Sequence, residues 1–423
     1  MSSVCHSCAM ASARSRTRAV AAACATAAVL LALCAPAGAR TQGGQRRARV
    51  LASPTSEELG YEFLYQMMDR YNSGAQLRLV QSFSGGVLER RHFTDSVTYD
   101  DALIIDALLA RGAPEDLARA QVLGESLLYV QASDPAHDGR VRAAYAPAAL
   151  AGPAAVQITD PTSDVGNMAW VGQALVQLYA RTGVASYLAG ARSIGEWIQL
   201  HARDTRGSGG YTGGENANGS AIAWKSTEHN IDVFSFFELL AAQTHEEAWR
   251  TRAQWARGFV TSMWSAGEGM FYVGSDEDGV TVNTSVFPED VNSWSYLALR
   301  DPAYAASLNW EQTHLSVSRR GFSGVSFCTG DRRGVWFEGT AHLADALALR
   351  GASGDAAAAQ AYLGDLAHAQ SSGPHSDGMG IIASSKNGLR TCEGERYYAS
   401  LHTGATAWYL LALRGADPFL ALA

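Results

Sequence analysis

The sequence predicts an all-α protein in which a ring of six inner helices is surrounded by a ring of six outer helices. Three observations lead to this prediction. Two kinds of helical segment alternate six times along the chain, and short and long connections alternate between them. The composition of the 423 residues, 47% hydrophobic and 17% charged, is typical of a globular protein that buries a large core.

The N-terminal end of the chain is expected to be a targeting segment outside the fold. Arg14, Arg16 and Arg18 precede an uncharged apolar run, and the Ala-Gly-Ala of residues 37–39 supplies the small residues that signal peptidase recognises. A lipoprotein anchored at Cys34 is the alternative. The expected divisions are a signal peptide of residues 1–39, a flexible segment of residues 40–55 and a helical barrel domain of residues 56–423. The protein is therefore expected to be secreted or periplasmic.

Six amphipathic segments carry charge on one side and apolar residues on the other, the pattern of a helix between a core and water. They begin at Ser56, Pro114, Val184, Glu246, Asp301 and Gly354. We expect these segments to form the outer ring, with the chain starting on an outer helix.

Six other segments share a polar or acidic start followed by a long apolar helix rich in small residues, which is typical of a buried helix. They begin at Thr98, Ser163, Ser226, Glu289, Gly334 and Leu401. Their starts are about 65 residues apart, with one shorter step of about 45 residues before Gly334. This repeat predicts the inner ring.

The connections indicate which end of the ring is functional. Each inner helix passes to the next outer helix through a short turn, at Gly112, Gly183, Thr244 or Gly351. The other end carries long loops, with hairpins expected in several, such as one around Asp278-Gly279. These loops comprise residues 132–162, 204–225, 266–288, 316–333 and 371–400. Loops of this length in a compact domain are usually functional, so the site is expected at this end.

The whole pattern from Ser56 onward resembles the (α/α)6 barrel of the six-hairpin glycosidase superfamily. The segments TYDDALIIDALL, STEHNID and HTGATAWYLLAL resemble inner-helix starts of its secreted members. The resemblance implies a sugar-binding cleft at the N-terminal end of the inner helices, with acid and base carboxylates there. It identifies no individual family, and similar toroids also serve lyases and non-enzymatic proteins.

Glycoside hydrolysis uses one protonated and one ionised carboxyl group. The candidates are Glu228 and Glu338, with Asp101 or Asp100 as a further one; these two point about 100° apart, so one of them faces the axis. Inward carboxylates on alternate helices of such a ring would lie about 7 to 8 Å apart, within the range of about 6.5 to 9.5 Å for inversion. The sequence predicts a glycoside hydrolase that cleaves a neutral oligo- or polysaccharide with inversion.

Local sequence favours Glu228 and Glu338 over the other helix-start acids. Ser226 or Thr227 would cap the third inner helix, so that Glu228 is not needed as the cap, and Asp232 lies one turn below it. Glu338 follows an apolar and aromatic run, which would raise the pKa of its carboxyl group.

The alternatives for these acids are structural. Acids in the first turn of a helix often cap its N–H groups, and Glu338 could instead pair with Arg332 or Arg333.

Further residues of the same rim are expected to bind the sugar, the aromatic ones by stacking on pyranose faces. They are Asp164, Asn167, Tyr211, Trp224, His229, Asp232, Asn292, Trp294, Trp336, Tyr398 and His402. Core packing is the alternative for the aromatic residues, above all for Trp170 and Trp408.

Cys328 and Cys392 are the two cysteines that remain after the expected signal peptide is removed. They lie in the last two long loops, and an even pair in an exported protein favours a disulfide.

Several function classes are not expected. The net charge of −8, without a basic cluster in the sequence, argues against nucleic acid, and no apolar stretch after residue 39 is long enough to span a membrane. The sequence lacks the usual His and Cys spacings of metal sites, so neither a metal nor a cofactor is expected. We expect a monomer whose partner is a carbohydrate.

Two other functions remain open. A polysaccharide lyase on the same toroid could use Asn167, His229 and Tyr398, although a cleft for polyanions should be basic. A non-catalytic carbohydrate-binding protein would depend on the rim aromatic residues and not on the carboxylates.

Overall fold

The computed structural model describes residues 53–147, 150, 156–392 and 394–422. The predicted signal peptide, the alternative lipid attachment at Cys34 and all but the last three residues of the predicted 40–55 segment lie outside the described residues. Within the described part of the chain, no helix is both long enough and apolar enough to cross a bilayer.

The described residues form thirteen α-helices. In chain order they are α1 (Ser56–Asp69), α2 (Gly86–Arg90), α3 (Thr98–Arg111), α4 (Pro114–Ala132), α5 (Val165–Thr182), α6 (Ala185–His201), α7 (Thr227–Thr244), α8 (Glu247–Ser262), α9 (Asp290–Leu299), α10 (Ala306–His314), α11 (Phe337–Arg350), α12 (Asp355–Ser372) and α13 (Thr403–Arg414). All twelve predicted helices are present, and α2 is an additional short helix in the loop before α3.

The inner ring consists of α3, α5, α7, α9, α11 and α13. Each packs against the next, and α13 packs against α3, which closes the ring. The outer helices α1, α4, α6, α8, α10 and α12 each pack against an inner helix that adjoins them in the chain or across the closure. Every residue of α5 from Val165 to Leu178 is buried, as the apolar pattern predicts. The prediction of an all-α (α/α)6 barrel is confirmed.

The turns that end the inner helices share one conformation. All six helices are followed by a residue in the left-handed region, with φ between 52° and 70°; these residues are Gly112, Gly183, His245, Arg300, Gly351 and Gly415. The turn predicted at Thr244 is displaced by one residue. Thr244 is still helical, with its hydroxyl donating to the Leu240 carbonyl, and His245 makes the turn.

One predicted outer helix is interrupted near its start. The Asp301 side chain accepts a hydrogen bond from the Ala303 N–H at 2.9 Å and begins a 3-10 turn over Pro302–Tyr304. Helix α10 starts only after this turn, so the segment that begins at Asp301 forms a shorter α-helix than its sequence predicts.

The described parts of the long loops contain fourteen short strands. They are β1 (Phe83–Ser84), β2 (Ser96–Val97), β3 (Ala144–Tyr145), β4 (Ile158–Asp160), β5 (Ser163–Asp164), β6 (Gly214–Glu215), β7 (Ala221–Ile222), β8 (Trp264–Ser265), β9 (Met270–Phe271), β10 (Ser316–Arg319), β11 (Phe322–Val325), β12 (Leu389–Arg390), β13 (Arg396–Tyr397) and β14 (Leu401–His402). They pair antiparallel as β1-β14, β2-β3-β4, β5-β6-β7, β8-β9, β10-β11 and β12-β13. At the hairpin predicted around Asp278-Gly279, the pairing is a single bridge between Ser275 and Val282.

A ring of backbone hydrogen bonds joins the start of every inner helix to the loop that leads to the next one. The donor and acceptor residues are Thr98 to Ala143, Val165 to Gly213, Thr227 to Val273, Glu289 to Phe327, Phe337 to Ala383 and Thr403 to Ser82, at 2.9 to 3.1 Å. We call these six bonds the belt. Because they connect all six hairpins in a circle, they fix the first turns of the inner helices relative to one another.

The predicted disulfide between Cys328 and Cys392 is present, with the two Cα atoms 6.3 Å apart. It joins the loop before α11 to the loop before α13.

The C-terminal tail lies across the ring axis. The Ser235 hydroxyl donates to the Phe419 carbonyl and the Gln177 side chain to the Leu420 carbonyl, at 2.5 and 2.6 Å, while Arg300 pairs with Asp417 at 2.6 Å. These contacts attach the tail to inner helices on several sides of the ring and bury the Phe419 ring at their centre.

Candidate active site

The belt places the inner helices in a common register, so residues equally far from a belt donor occupy equivalent places in the ring. The residues one position after the donor are Tyr99, Gly166, Glu228, Asp290, Glu338 and Gly404. We call them the first-turn ring. Three consecutive helices, α7, α9 and α11, therefore contribute one acid each. On the opposite side of the ring, α3 contributes the tyrosine, and its neighbours α13 and α5 contribute one glycine each.

The three acids of the first-turn ring differ in their exposure to solvent. Glu228 is 8% exposed, Asp290 2% and Glu338 1%. Ser226 is the cap of α7, with its side chain accepting from the His229 N–H, as the sequence predicts. Glu228 is thus the acid of this ring with most access to water.

Glu338 lies in a buried network with Tyr99 and His402. The Tyr99 hydroxyl donates to Glu338 Oε1 at 2.7 Å, and His402 Nδ1 lies 3.5 Å from Oε2. Burial raises the pKa of Glu338 to about 7, with Asp100 and Asp290 adding to the rise and His402 and Tyr99 opposing it. This carboxyl group therefore keeps its proton to a higher pH than an exposed glutamate does.

His402 connects Glu338 to Asp100. Its Nε2 lies 3.3 Å from Asp100 Oδ1, and its Nδ1 accepts the Ala405 N–H at 3.3 Å, which places a proton on Nε2 in the neutral ring. Although burial lowers the pKa of His402, Asp100 and Glu338 raise it further, and the net shift is upward. At Gly404, a Cβ would lie 2.4 Å from Asp100 Oδ1, so only glycine leaves room for this pair.

His342 lies on the other side of Glu338, one turn further along α11. Its Nε2 is 4.0 Å from Glu338 Oε1, and its Nδ1 is 3.1 Å from Glu289 Oε2. Burial lowers the pKa of His342 well below its usual value, so the ring is neutral. Burial raises the pKa values of Glu289 and Glu311 well above their usual range; repulsion from Glu311 adds to the rise at Glu289, and repulsion from Asp290 adds to it at both.

A second buried network lies between α5 and α7. His229 Nε2 is 3.4 Å from Asp164 Oδ1, and Asp164 caps α5 by accepting the Gly166 N–H at 3.0 Å. Burial and the negative charges of Asp164 and Asp290 raise the pKa of Asp232 well above its usual range. A Cβ on Gly166 would lie 2.6 Å from the His229 ring.

Asp290 stands between the two networks. Burial raises the pKa of Asp290 to about 7, against the hydrogen bond that its carboxylate accepts from the Val291 N–H at 2.7 Å. Asp290 also raises the pKa values of both Glu338 and Asp232. Asp290 on α9 therefore acts electrostatically on Asp232 of α7 and on Glu338 of α11.

Aromatic rings close the barrel one turn below the first-turn ring. Trp170, Trp294 and Trp408 lie 5.4 to 5.9 Å apart between ring centroids, and Phe419 of the tail lies 5.2 to 6.2 Å from each of them. We call these four side chains the aromatic floor. The Trp408 indole donates to the Tyr99 hydroxyl at 2.8 Å, which links the floor to Glu338.

Comparisons with known proteins agree with this architecture. No protein-family model and no curated protein matches the chain, but solved structures match it. A D-mannose isomerase has a TM-score of 0.61 at 11% identity, over 85% of this chain and 99% of that one. A family 76 glycoside hydrolase (mannosidase) from Bacteroides thetaiotaomicron VPI-5482 has a TM-score of 0.59 at 12% identity, over 85% and 98%. A glycosidase variant in complex with glucose has a TM-score of 0.59 at 13% identity, over 86% and 97%.

The chain has the six-hairpin glycosidase fold. At identities of 11 to 13% this likeness concerns the fold. The roles of individual residues rest on the geometry of this chain.

The six-hairpin repeat shows that two predicted site residues belong to the scaffold. Three positions after the belt donor, five of the six inner helices carry a polar side chain that accepts a loop N–H at 2.8 to 3.1 Å. These pairs are Asp101 with Val80, Asn230 with Tyr211, Asn292 with Phe271, Thr340 with Val325 and Thr406 with Ile381. Asp101 and Asn292 are therefore loop supports, and Asp100 is the member of the Asp100-Asp101 pair that joins the Glu338 network.

Tyr211 and Trp294 also differ from their predicted roles. Tyr211 is fully buried, its hydroxyl donating to Gln199 Oε1 at 2.8 Å and its ring packing on Phe237, away from the acids. Trp294 is part of the aromatic floor, together with Trp170 and Trp408, for which core packing was the expected alternative.

The remaining rim aromatic residues lie beside the networks. Trp224 is 5.6 Å from His229 and Trp336 is 5.3 Å from His342, between ring centroids. Tyr398 is partly exposed, and its hydroxyl accepts a hydrogen bond from Arg91 at 2.8 Å. Of the predicted polar ligands, Asn167 is 5% exposed, and its Nδ2 has no hydrogen-bond partner among the described residues.

The ion pair considered for Glu338 is not formed. Arg333 pairs with Asp331 at 2.7 Å, and Arg332 donates to the Ser316 carbonyl at 2.7 Å. The partner of Glu338 is Tyr99, which has the equivalent place on α3.

The sequence marks Glu289 and Asp290 as helix-start acids and His342 as an inner-helix histidine, but it does not select them as site residues, and it gives no indication of Glu311. The equivalence of Asp290 with Glu228 and Glu338 could have been found by aligning the six inner-helix starts residue by residue. Glu311 lies on an outer helix, and nothing in its sequence context indicates that it points inward. Within the described residues, no group of His, Cys, Asp and Glu is arranged to hold a metal ion.

Proposed function

We propose that the protein is a glycoside hydrolase whose site is the first-turn ring. The observation that carries this proposal is Glu338, a buried carboxyl group with a pKa of about 7, in the same ring as the more exposed Glu228. Hydrolysis of a glycosidic bond requires two carboxyl groups. One must keep its proton near neutral pH, and the other must have access to water.

In this proposal Glu338 is the general acid and Glu228 the general base. Glu338 donates its proton to the leaving glycosidic oxygen as the bond to the anomeric carbon breaks. Glu228, ionised, takes a proton from the water that attacks that carbon from the opposite face, which gives inversion. The two acids lie on α7 and α11, with α9 between them.

The surrounding side chains would orient the sugar. Asn167 presents a side-chain N–H without a partner among the described residues, and Trp224 and Trp336 flank the two histidine networks. A buried floor beneath the acids keeps bulk water out, which strengthens their electrostatic effect on the reacting bond.

A second candidate function is a sugar isomerase or epimerase. Glu338 lies between His402 and His342, at 3.5 and 4.0 Å, and such a group could move a proton at a carbon next to a carbonyl. One of the similar structures is a D-mannose isomerase, which gives this chemistry on the same fold.

The decisive experiment incubates the protein with a panel of oligo- and polysaccharides and with free aldoses. New reducing ends with inverted anomeric configuration by NMR support the hydrolase. Absorbance of unsaturated uronates would instead identify a lyase, and ketose formed from a free aldose an isomerase. Binding without any product would identify a non-catalytic carbohydrate-binding protein.

We further propose that the protein is exported, with cleavage after residue 39. The disulfide between Cys328 and Cys392 supports an oxidising location. N-terminal sequencing of the exported protein should find Arg40 as the first residue. A mature chain that begins at a lipid-modified Cys34 would establish the lipoprotein alternative.

A further inference from the structure

A cluster of positive charge lies beside the candidate site in this otherwise acidic chain. It is formed by the tip of the β10–β11 hairpin, the turn before α11 and the loop before α13. Its members, which we call the cationic patch, are Arg319, Arg320, Arg332, Arg333, Lys386 and Arg396. All are exposed except Lys386, which is half-buried.

The cationic patch contains more charge than its acids neutralise. Among the described residues, its one ion pair is that of Arg333 with Asp331. Elsewhere among the described residues most arginines are paired, as Arg119 is with Asp69 and Arg192 with Glu246.

The cations of the patch act on one another. Burial lowers the pKa of Lys386, Asp331 opposes this effect, and Arg333, Arg320 and Arg396 lower the pKa further by repulsion. The Lys386 stem lies against the backbone of Gly334, where a Cβ would be 2.6 Å from Cγ. The protein therefore holds like charges close together, an arrangement that a bound anion would stabilise.

The patch borders open space that could hold a ligand group. A cavity of about 610 Å³ is lined by Ser318, Arg319, Arg320, Arg333 and Lys386. A second cavity of about 350 Å³ adjoins it, sharing Ser318 and Arg319 and adding Arg332. Guanidinium groups and a serine hydroxyl are suited to carboxylate or sulfate oxygens.

The patch is connected to the candidate site through the start of α11. Arg333 and Glu338 are five residues apart, so their Cα atoms are separated by at most about 17 Å. Ser385, next to Lys386, exchanges hydrogen bonds with Val335 at 2.9 and 3.0 Å. A glycan bound at the site could therefore extend onto the patch.

We propose that the cationic patch binds the carboxylate or sulfate groups of an acidic glycan, as a subsite next to the first-turn ring. The net charge of −8 favours a neutral glycan, but this local excess of arginine reverses that expectation for one side of the cleft. The further statement that this glycan is the substrate rests on the proposed function; the binding itself does not. Six cations around two cavities form a smaller footprint than the extended basic stripe that nucleic acid requires.

The test measures affinity by calorimetry for polygalacturonate, which carries carboxylates, for chondroitin sulfate and for neutral dextran. The Glu338→Gln protein is used throughout, so that turnover does not interfere. The patch variant combines Arg319→Gln, Arg320→Gln and Arg396→Gln. The control variant has the same net charge through Arg192→Gln, Arg250→Gln and Arg257→Gln, on outer helices α6 and α8.

We expect at least one acidic glycan to bind more tightly than dextran, and the patch variant to lose about tenfold or more of that affinity at low salt. The control variant should retain it. Equal affinity of the patch variant and its parent, or no preference over dextran, would overturn the proposal. Tighter, patch-dependent binding of duplex DNA or phosphatidylglycerol vesicles would assign the surface to those partners instead. Absence of hydrolysis in the glycan panel would leave the binding result standing.

Discussion

The Tyr99 hydroxyl donates a hydrogen bond to Glu338 Oε1 at 2.7 Å, from the helix on the other side of the ring closure. The same hydroxyl accepts the Trp408 indole N–H at 2.8 Å, so its orientation is fixed from below. A donor to the carboxylate stabilises the ionised form of Glu338, whereas burial stabilises the protonated form. The pKa of Glu338 therefore reflects a balance between burial, which raises it, and the hydrogen bond from Tyr99, which lowers it.

Removing the Tyr99 hydroxyl should change the pH dependence of activity. The protonated form of Glu338 is the proposed acid, so activity should fall as the pH rises through about 7. Tyr99→Phe removes a bond that lowers this pKa, and the alkaline limb of the kcat/KM profile should therefore move to higher pH. A limb that stays in place, in a variant with unchanged circular dichroism, would contradict the role of Glu338.

Replacing either proposed catalytic acid should abolish most of the activity. Glu338→Gln and Glu228→Gln keep size and hydrogen bonding but cannot ionise, so kcat should fall by about a hundredfold or more with little change in stability. Glu247→Gln, on the outer helix α8, is the matched control and should keep full activity. Normal turnover by both site variants would refute the assignment.

The adjacent acids Asp100 and Asp101 should respond differently to the same change. Asp101→Asn should be tolerated, because Asn230 and Asn292 accept the equivalent loop N–H on α7 and α9. Asp100→Asn removes the charge that faces His402 and should lower kcat by about tenfold or more. Steady-state kinetics of both variants, with melting temperatures to confirm folding, make the comparison. Equal losses of kcat in the two variants would exclude this division of roles.

Glycine in the first turn of α13 should be essential. A Cβ in Gly404→Ala would lie 2.4 Å from Asp100 Oδ1, and we expect a loss of about 1 to 3 kcal/mol of stability together with lower activity. Gly364→Ala on the exposed side of α12 meets no atom within 4 Å, and should stabilise by about 0.5 to 1 kcal/mol. Urea denaturation of both proteins measures the difference. If Gly404→Ala were as stable as its parent, the packing of His402 on Asp100 would not need glycine.

The disulfide should contribute to stability. It spans a sequence separation of 64 residues, for which loop entropy predicts about 4 kcal/mol. Replacing both cysteines by serine should then lower the melting temperature by about 5 °C in a chain of this size. Mass spectrometry that found two free thiols in exported protein would contradict the cross-link itself.

The sequence predicts the architecture well because the fold is a repeat. Six copies of an apolar helix rich in small residues are six independent observations of one buried element, and one ambiguous segment does not change the conclusion. The segment from Asp301 shows the limit: its helical pattern runs through a Pro302 turn that only the Asp301 cap reveals.

The site is predicted less completely because the side chains that build it serve different purposes at similar positions. Asp100 and Asp101 differ by one residue, yet one faces His402 and the other supports the Val80 N–H. The two roles can be told apart only by counting from the belt donor Thr98, which Asp100 follows by two residues and Asp101 by three. Phe419 lies outside every repeat, so nothing in its surroundings along the chain indicates that it fills the axis.

The aromatic floor closes the barrel at one end. Trp170, Trp294, Trp408 and Phe419 are each at most 2% exposed, and together they block the axis below the acids. In the proposed hydrolase a glycan chain could not thread through the ring, so it would enter by a chain end or a side branch, or it would lie across the mouth. A product released inside the ring would have to leave through the opening by which the substrate entered.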